Sequence, residues 1–64
     1  MERYYEVVGK SDYGWETIKR GIKTKTEAIK IARQQDKKKW EIIDINLIVD
    51  DDLTETYNKY GKVR

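Results

Sequence analysis

Three consecutive carboxylates, Asp50, Asp51 and Asp52, are the densest run of hard oxygen ligands in the chain. Such ligands suit Ca²⁺ or Mg²⁺. The spacing is not that of an EF-hand, which alternates its ligands and closes with a distant glutamate, so we read the run as a solvated turn. Asp44 with Asp50 or Glu55 could form a carboxylate pair for acid–base work. A chain of 64 residues offers no deep pocket to raise a carboxyl pKa, and we expect no catalysis. Gly9, Gly14 and Gly21 do not sit between a strand and a helix at the spacing of a phosphate-binding loop. There is no His and no Cys, and Ser11 is the only serine. Those absences remove the usual general base, the soft metal ligands and the thiol nucleophile. The sequence therefore predicts a non-enzyme with no cofactor and no metal, a binding module of α+β class.

The remaining chemistry is charge and aromatic surface. Residues 19–39 carry nine basic and two acidic side chains, while residues 40–58 carry six acidic and none basic. Lys30, Arg33, Lys37 and Lys38 are the candidate phosphate contacts, with Tyr4, Tyr5, Tyr13, Trp15, Tyr57 and Tyr60 available to stack on bases. The acidic segment that follows would repel phosphate, so nucleic acid is the alternative reading rather than the first. The net charge is only +2, which by itself names no partner.

These residues must be positioned by short elements. Residues 3–8 are β-branched and aromatic and read as a strand. A glycine-bracketed hairpin loop of four to six residues, Gly9 to Gly14, joins it to a second strand at 15–20. Thr24 and Glu27 have the spacing of a capping box and open a helix over about 25–38. Its apolar stripe is Ala28, Ile31, Ala32 and Gln35, with Ile29 at the edge. The strand at 40–49 places Ile43, Ile45, Leu47 and Val49 on one face, toward the helix, and Trp40, Ile42, Asp44, Asn46 and Ile48 on the other. A fourth strand follows at 53–60, and Gly61 begins a frayed basic tail. The expectation is one ββαββ domain over 1–64, a four-stranded antiparallel sheet with one helix packed on one face.

One helix leaves the second sheet face uncovered, and apolar side chains there mark an interaction surface. Ile42, Ile48, Trp40 and Tyr57 are the candidate protein-binding residues. A domain this small buries only about 60% of its unfolded surface and has no disulfide to staple it, so a second copy is the expected partner. No apolar run approaches the roughly 20 residues of a membrane span. With no signal-peptide pattern, a cytoplasmic location is expected.

Two resemblances arise between Trp15 and Ala32 and extend outward. Tyr5, Val7, Trp15, the run Thr24-Lys25-Thr26-Glu27-Ala28-Ile29, and Tyr60-Gly61 resemble the pattern of small bacterial and phage ββαββ domains of unknown function. Asp50-Asp51-Asp52 stands where those domains have an Asp-Gly turn. The Trp strand before a Thr-Lys-x-Glu-Ala helix also resembles, over the middle third only, the arm-type DNA-binding domains of phage integrases. The first resemblance implies the fold and no activity. Usage rich in Lys, Ile, Tyr and Asn, with no proline, suggests an AT-rich genome such as a phage or mobile element. In that setting a small protein is expected to bind and inhibit a host factor.

Overall fold

The computed structural model of the chain describes residues 2–35 and 39–64. Its order is β1 (Arg3–Ser11), β2 (Gly14–Ile22), α1 (Lys25–Gln34), β3 (Ile42–Val49) and β4 (Asp52–Asn58). The strands form one antiparallel sheet in the order β2-β1-β3-β4. The chain leaves the edge strand β2, crosses one face as α1, and returns as the central strand β3. This is the ββαββ architecture that the alternation and the helix signal predict.

Thr24 adopts extended backbone and its hydroxyl accepts from the Glu27 amide at 3.2 Å, capping the helix. That satisfies one of the orphan amides of the first turn. Ala28 and Ala32 are fully buried beneath the helix. With only methyl groups between them, helix and sheet approach closely, and Ile29 and Ile31 pack on the flanks. Below them lie Val7, Ile22, Ile43, Ile45, Leu47 and Tyr57. Ile45, on a central strand and wholly enclosed, is worth roughly 2–5 kcal/mol against alanine. The helix ends at Gln34, short of residue 38, and residues 36–38 lie outside those described.

The first hairpin is tighter than its glycines suggest. Ser11 pairs with Gly14, so the turn is Asp12-Tyr13 alone; β1 runs three residues further into it and β2 starts one residue earlier. The Ser11 hydroxyl accepts from the Tyr13 amide at 3.2 Å, and Gly14 supplies φ 108°, which spares the two preceding residues a left-handed conformation.

Two expectations fail locally. Trp40 does not share a face with Ile42. The chain bends at Glu41, whose amide donates to the Lys10 carbonyl at 2.7 Å, so β3 alternation does not extend back to residue 40. The indole instead packs against the core on the helix side. It lies across Gly9, where a Cβ would stand 2.6 Å from two of its ring carbons; only glycine leaves that slot. The tail is not frayed either. Asn58 Oδ1 accepts from the amides of Tyr60 and Lys62 at 2.9 and 3.0 Å. The turn carries Gly61 at φ 86° against Ile29 and lays residues 62–64 along β4. Asn58 N donates to the Lys62 carbonyl, Arg64 N donates to the Thr56 carbonyl, and Tyr57 bridges Val63.

Candidate binding face

Strand register places the uncovered face in four rows. Trp15, Lys10 and Ile42 are cross-strand neighbours at one end. Thr17, Val8, Asp44 and Asn58 form the next row. Arg20, Glu6, Asn46 and Thr56 form the third, and Tyr4, Ile48 and Leu53 the last. The face is thus apolar at both ends with a polar belt between. Trp15 is 52% exposed, Ile42 38% and Leu53 60%.

The belt runs through all four strands. Arg20 Nη2 donates to Glu6 Oε1 at 3.3 Å, Asn46 Nδ2 donates to Glu6 Oε2 at 3.0 Å, and Thr56 Oγ1 donates to Asn46 Oδ1 at 2.9 Å. Glu6 is buried although no helix covers it. A buried carboxylate is tolerable only when partnered, and both of its oxygens are. Beside the belt, Arg64 Nε and Nη2 both donate to Asp44 Oδ1, at 2.9 and 2.6 Å. Lys10 stands 3.9 Å from Glu41. Every charged side chain in the four rows therefore has a counter-charge in its own chain. Val8, Trp15, Asp44, Asn46 and Thr56 line a shallow hollow of about 250 Å³ in the middle of the face. A second hollow of about 250 Å³ opens at the row of Ile42, between Trp40, Ile42, Asn58, Lys59, Tyr60 and Arg64.

The predicted protein-binding residues divide. Ile42 is on the open face and accessible. Ile48 is on that face too, but only 8% exposed, between its cross-strand neighbours Tyr4 and Leu53; a one-residue bulge in β4, between the partners of Leu47 and Ile48, marks that corner. Trp40 reaches the end hollow from the helix side. Tyr57 is a core residue: it opposes Ile45 under the helix, and its ring lies 3.9 Å from Lys25 Nζ. Its hydroxyl donates to Glu55 Oε1. That hydrogen bond, then burial and the nearby carboxylate charge, push its pKa up to about 12. Val8 and Leu53 are face residues that sequence reasoning missed, and Tyr4 and Trp15, read there only as platforms for bases, belong to the same face. Their signal was register: Val8 pairs with Asp44, Tyr4 and Leu53 pair with Ile48, and Trp15 pairs with Lys10, which in turn pairs with Ile42.

Of the phosphate candidates, Lys30 and Arg33 are exposed on the outer side of α1, and Arg33 lies 5.9 Å from the Tyr60 ring. Lys37 and Lys38 fall outside the described residues. The helix cations and the sheet aromatics Tyr4 and Trp15 stand on opposite sides of the molecule. Asp50 turns its carboxylate to the Glu2 amide at 2.8 Å. Among the described residues no group of three or more His, Cys, Asp or Glu converges as a metal site, and no helix is long and apolar enough to cross a membrane. No family model, curated protein or solved structure matches the chain.

Proposed function

We propose that this chain is a non-enzymatic protein-binding module, that the open sheet face is its docking surface, and that its partner is a second copy of itself. The observation that carries this reading is the charge pairing within the face. A surface whose carboxylates and cations are matched in their own chain can be covered by protein without stranding a charge, which is the costly event in burying ions. The same pairing argues against phosphate on this face, since nucleic-acid surfaces present cations to their ligand. Assembly through strand edges is disfavoured on both sides. Two register shifts bulge β2 against β1, and residues 62–64 cover β4; bulges and covering segments are the usual guards against edge pairing. The face remains.

Sedimentation or light scattering at about 100 μM tests the reading. A mass of two chains is expected, and Trp15→Lys with Ile42→Lys should return a folded monomer. A wild-type mass of one chain at that concentration removes self-association. Submicromolar binding to single- or double-stranded DNA at about 150 mM salt, where screening acts over roughly 8 Å, would put the helix cations Lys30 and Arg33 ahead of the sheet face.

A further inference from the structure

The segment that guards β4 is held by contacts that a second copy can also supply. Residues 62–64 lie antiparallel on β4. Tyr57 bridges Val63, Asn58 N donates to the Lys62 carbonyl at 2.8 Å, and Arg64 N donates to the Thr56 carbonyl at 3.0 Å. Arg64 then reaches past β4 to Asp44 on β3, whose Oδ1 accepts from its Nε and Nη2. Val63 is 62% exposed. Backbone hydrogen bonds and one ion pair therefore hold this strap, with little buried apolar surface. Only the turn at 59–61 keeps the contacts within one chain. That turn rests on Asn58 Oδ1, which accepts from two amides, and on Gly61 at φ 86°.

The same turn leaves β3 incomplete. β3 begins at Ile42, yet its first partner on β4 is Asn58, opposite Asp44. Among the described residues, Ile42 and Ile43 have ladder partners on β1 alone. The hollow of about 250 Å³ between Trp40, Ile42 and Tyr60 opens beside them. A β4 that ran straight on in its present register would set Lys59 against Ile43 and Tyr60 against Ile42, inside that hollow.

A straight β4 cannot bring its own residues 62–64 back along itself, but it presents them to another copy. Between two such strands the ladder Tyr57–Val63, Asn58–Lys62 continues as Lys59–Gly61 and closes on Tyr60 opposite Tyr60. A twofold axis passes there. The register of the strap is thus the register of a symmetric exchange, and each strap contact recurs between the two copies.

We propose that residues 62–64 are an exchangeable strap. In a minor state two copies open the turn and swap tails, and each Arg64 pairs with the partner's Asp44. The closed strap guards the β4 edge; the open one joins two β4 strands into one continuous sheet. Exchange keeps the strap contacts, gives up the Asn58 cap and gains pairing at 59–61. The balance is close, and concentration moves it. This mode uses the β4 edge and does not depend on docking through the open face.

The test uses a chain whose open face is disabled by Trp15→Lys with Leu53→Lys, which leaves Ile42 in place. Adding Gly61→Val strains the closed turn, because a β-branched residue disfavours positive φ and its Cβ would stand 2.6 Å from Ile29 Cδ1. An extended residue 61 carries no such strain. The dimer dissociation constant, read by sedimentation, should fall by about tenfold or more, with the circular dichroism of the folded chain retained. A Gly61→Val chain that stays folded and no more dimeric than its parent overturns the exchange. A second measurement leaves the turn glycine alone. The chain has no cysteine, so Tyr60→Cys places one thiol per copy at the twofold axis. Facing residues there stand about 5.5 Å apart at Cα, within disulfide reach. Under oxidised glutathione, Tyr60→Cys should form a covalent dimer about ten times faster than Tyr13→Cys, whose site is 95% exposed and reports random collision. Equal rates overturn the proposal. Either failure leaves the open-face reading standing, and a wild-type chain that does not dimerise through its face leaves these two results unchanged.

Discussion

Single side chains here show how position decides the role of a chemically capable group. Tyr57 has a phenol and Glu55 a carboxylate, yet their hydrogen bond, in a buried setting, pushes the tyrosine to about 12. The folded chain thus favours the protonated phenol more than the unfolded chain does. The resulting stability is fully present below the ordinary tyrosine value near 10 and is lost as pH rises through about 12. Absorbance at 295 nm should show one late-titrating tyrosine, absent in Tyr57→Phe and shifted down in Glu55→Ala. A titration that the Tyr57→Phe change leaves unaltered would count against the assignment. Asp51 makes a second case. It holds φ 70° beside Asp50 at φ 50°, the pair of left-handed residues that a two-residue primed turn requires. Asp50 uses its carboxylate on Glu2. Asp51→Gly relieves the backbone and thins a run of like charges, so it should stabilise by about 0.5–1 kcal/mol. A denaturant midpoint that falls would show that the Asp51 side chain has a contact worth more than the strain.

At the scale of elements, the legible parts were those written in local pattern. The helix start is spelled by Thr24 and Glu27 three residues apart. The inward face of β3 is spelled by Ile43, Ile45 and Leu47, all buried. The two hairpins on either side of one helix were legible too, whereas the central pairing of β1 with β3 was not written in either hairpin. The illegible parts depend on partners far away in sequence or on breaks in period. Trp40 leaves the parity of Ile42 because Gly9, on another strand, offers a slot. The tail returns because one side chain, Asn58, gathers two amides. The β2 bulges insert residues that alternation cannot announce. The same limits applied to the site. Ile42 was readable from β3 alone, whereas Trp15 belongs to it only through Lys10, which pairs with both. Ile48 shows the consequence. Its parity is that of Ile42, but its neighbours already enclose it. Ile48→Lys should therefore lower the unfolding free energy by about 2–4 kcal/mol through a buried charge. Ile42→Lys should leave stability within about 0.5 kcal/mol while weakening assembly. Equal denaturation midpoints for the two variants would contradict their difference in burial.

The whole molecule is one layer of helix on one layer of sheet, and a two-layer unit of this size has little stability to spare. Its core is real but thin: among the described residues, nine buried side chains form one cluster, two of them alanine. Apart from the enclosed Ile48 and the partnered Glu6, the second sheet face adds to stability only if something covers it. When two chains share that cover, unfolding becomes coupled to dissociation, and the native state gains from concentration by mass action. A hundredfold rise in concentration is worth about 2.7 kcal/mol per dimer, or about 1.4 kcal/mol per chain. For a domain of 60–100 residues, 1 kcal/mol moves the midpoint by about 4–8 °C. Between about 5 and 500 μM the thermal midpoint should thus climb by roughly 5–11 °C. Trp15→Lys with Ile42→Lys should flatten that dependence while keeping the helix signal in circular dichroism. A wild-type midpoint independent of concentration over that range would mean that the thin core is sufficient alone and that the open face takes no second copy.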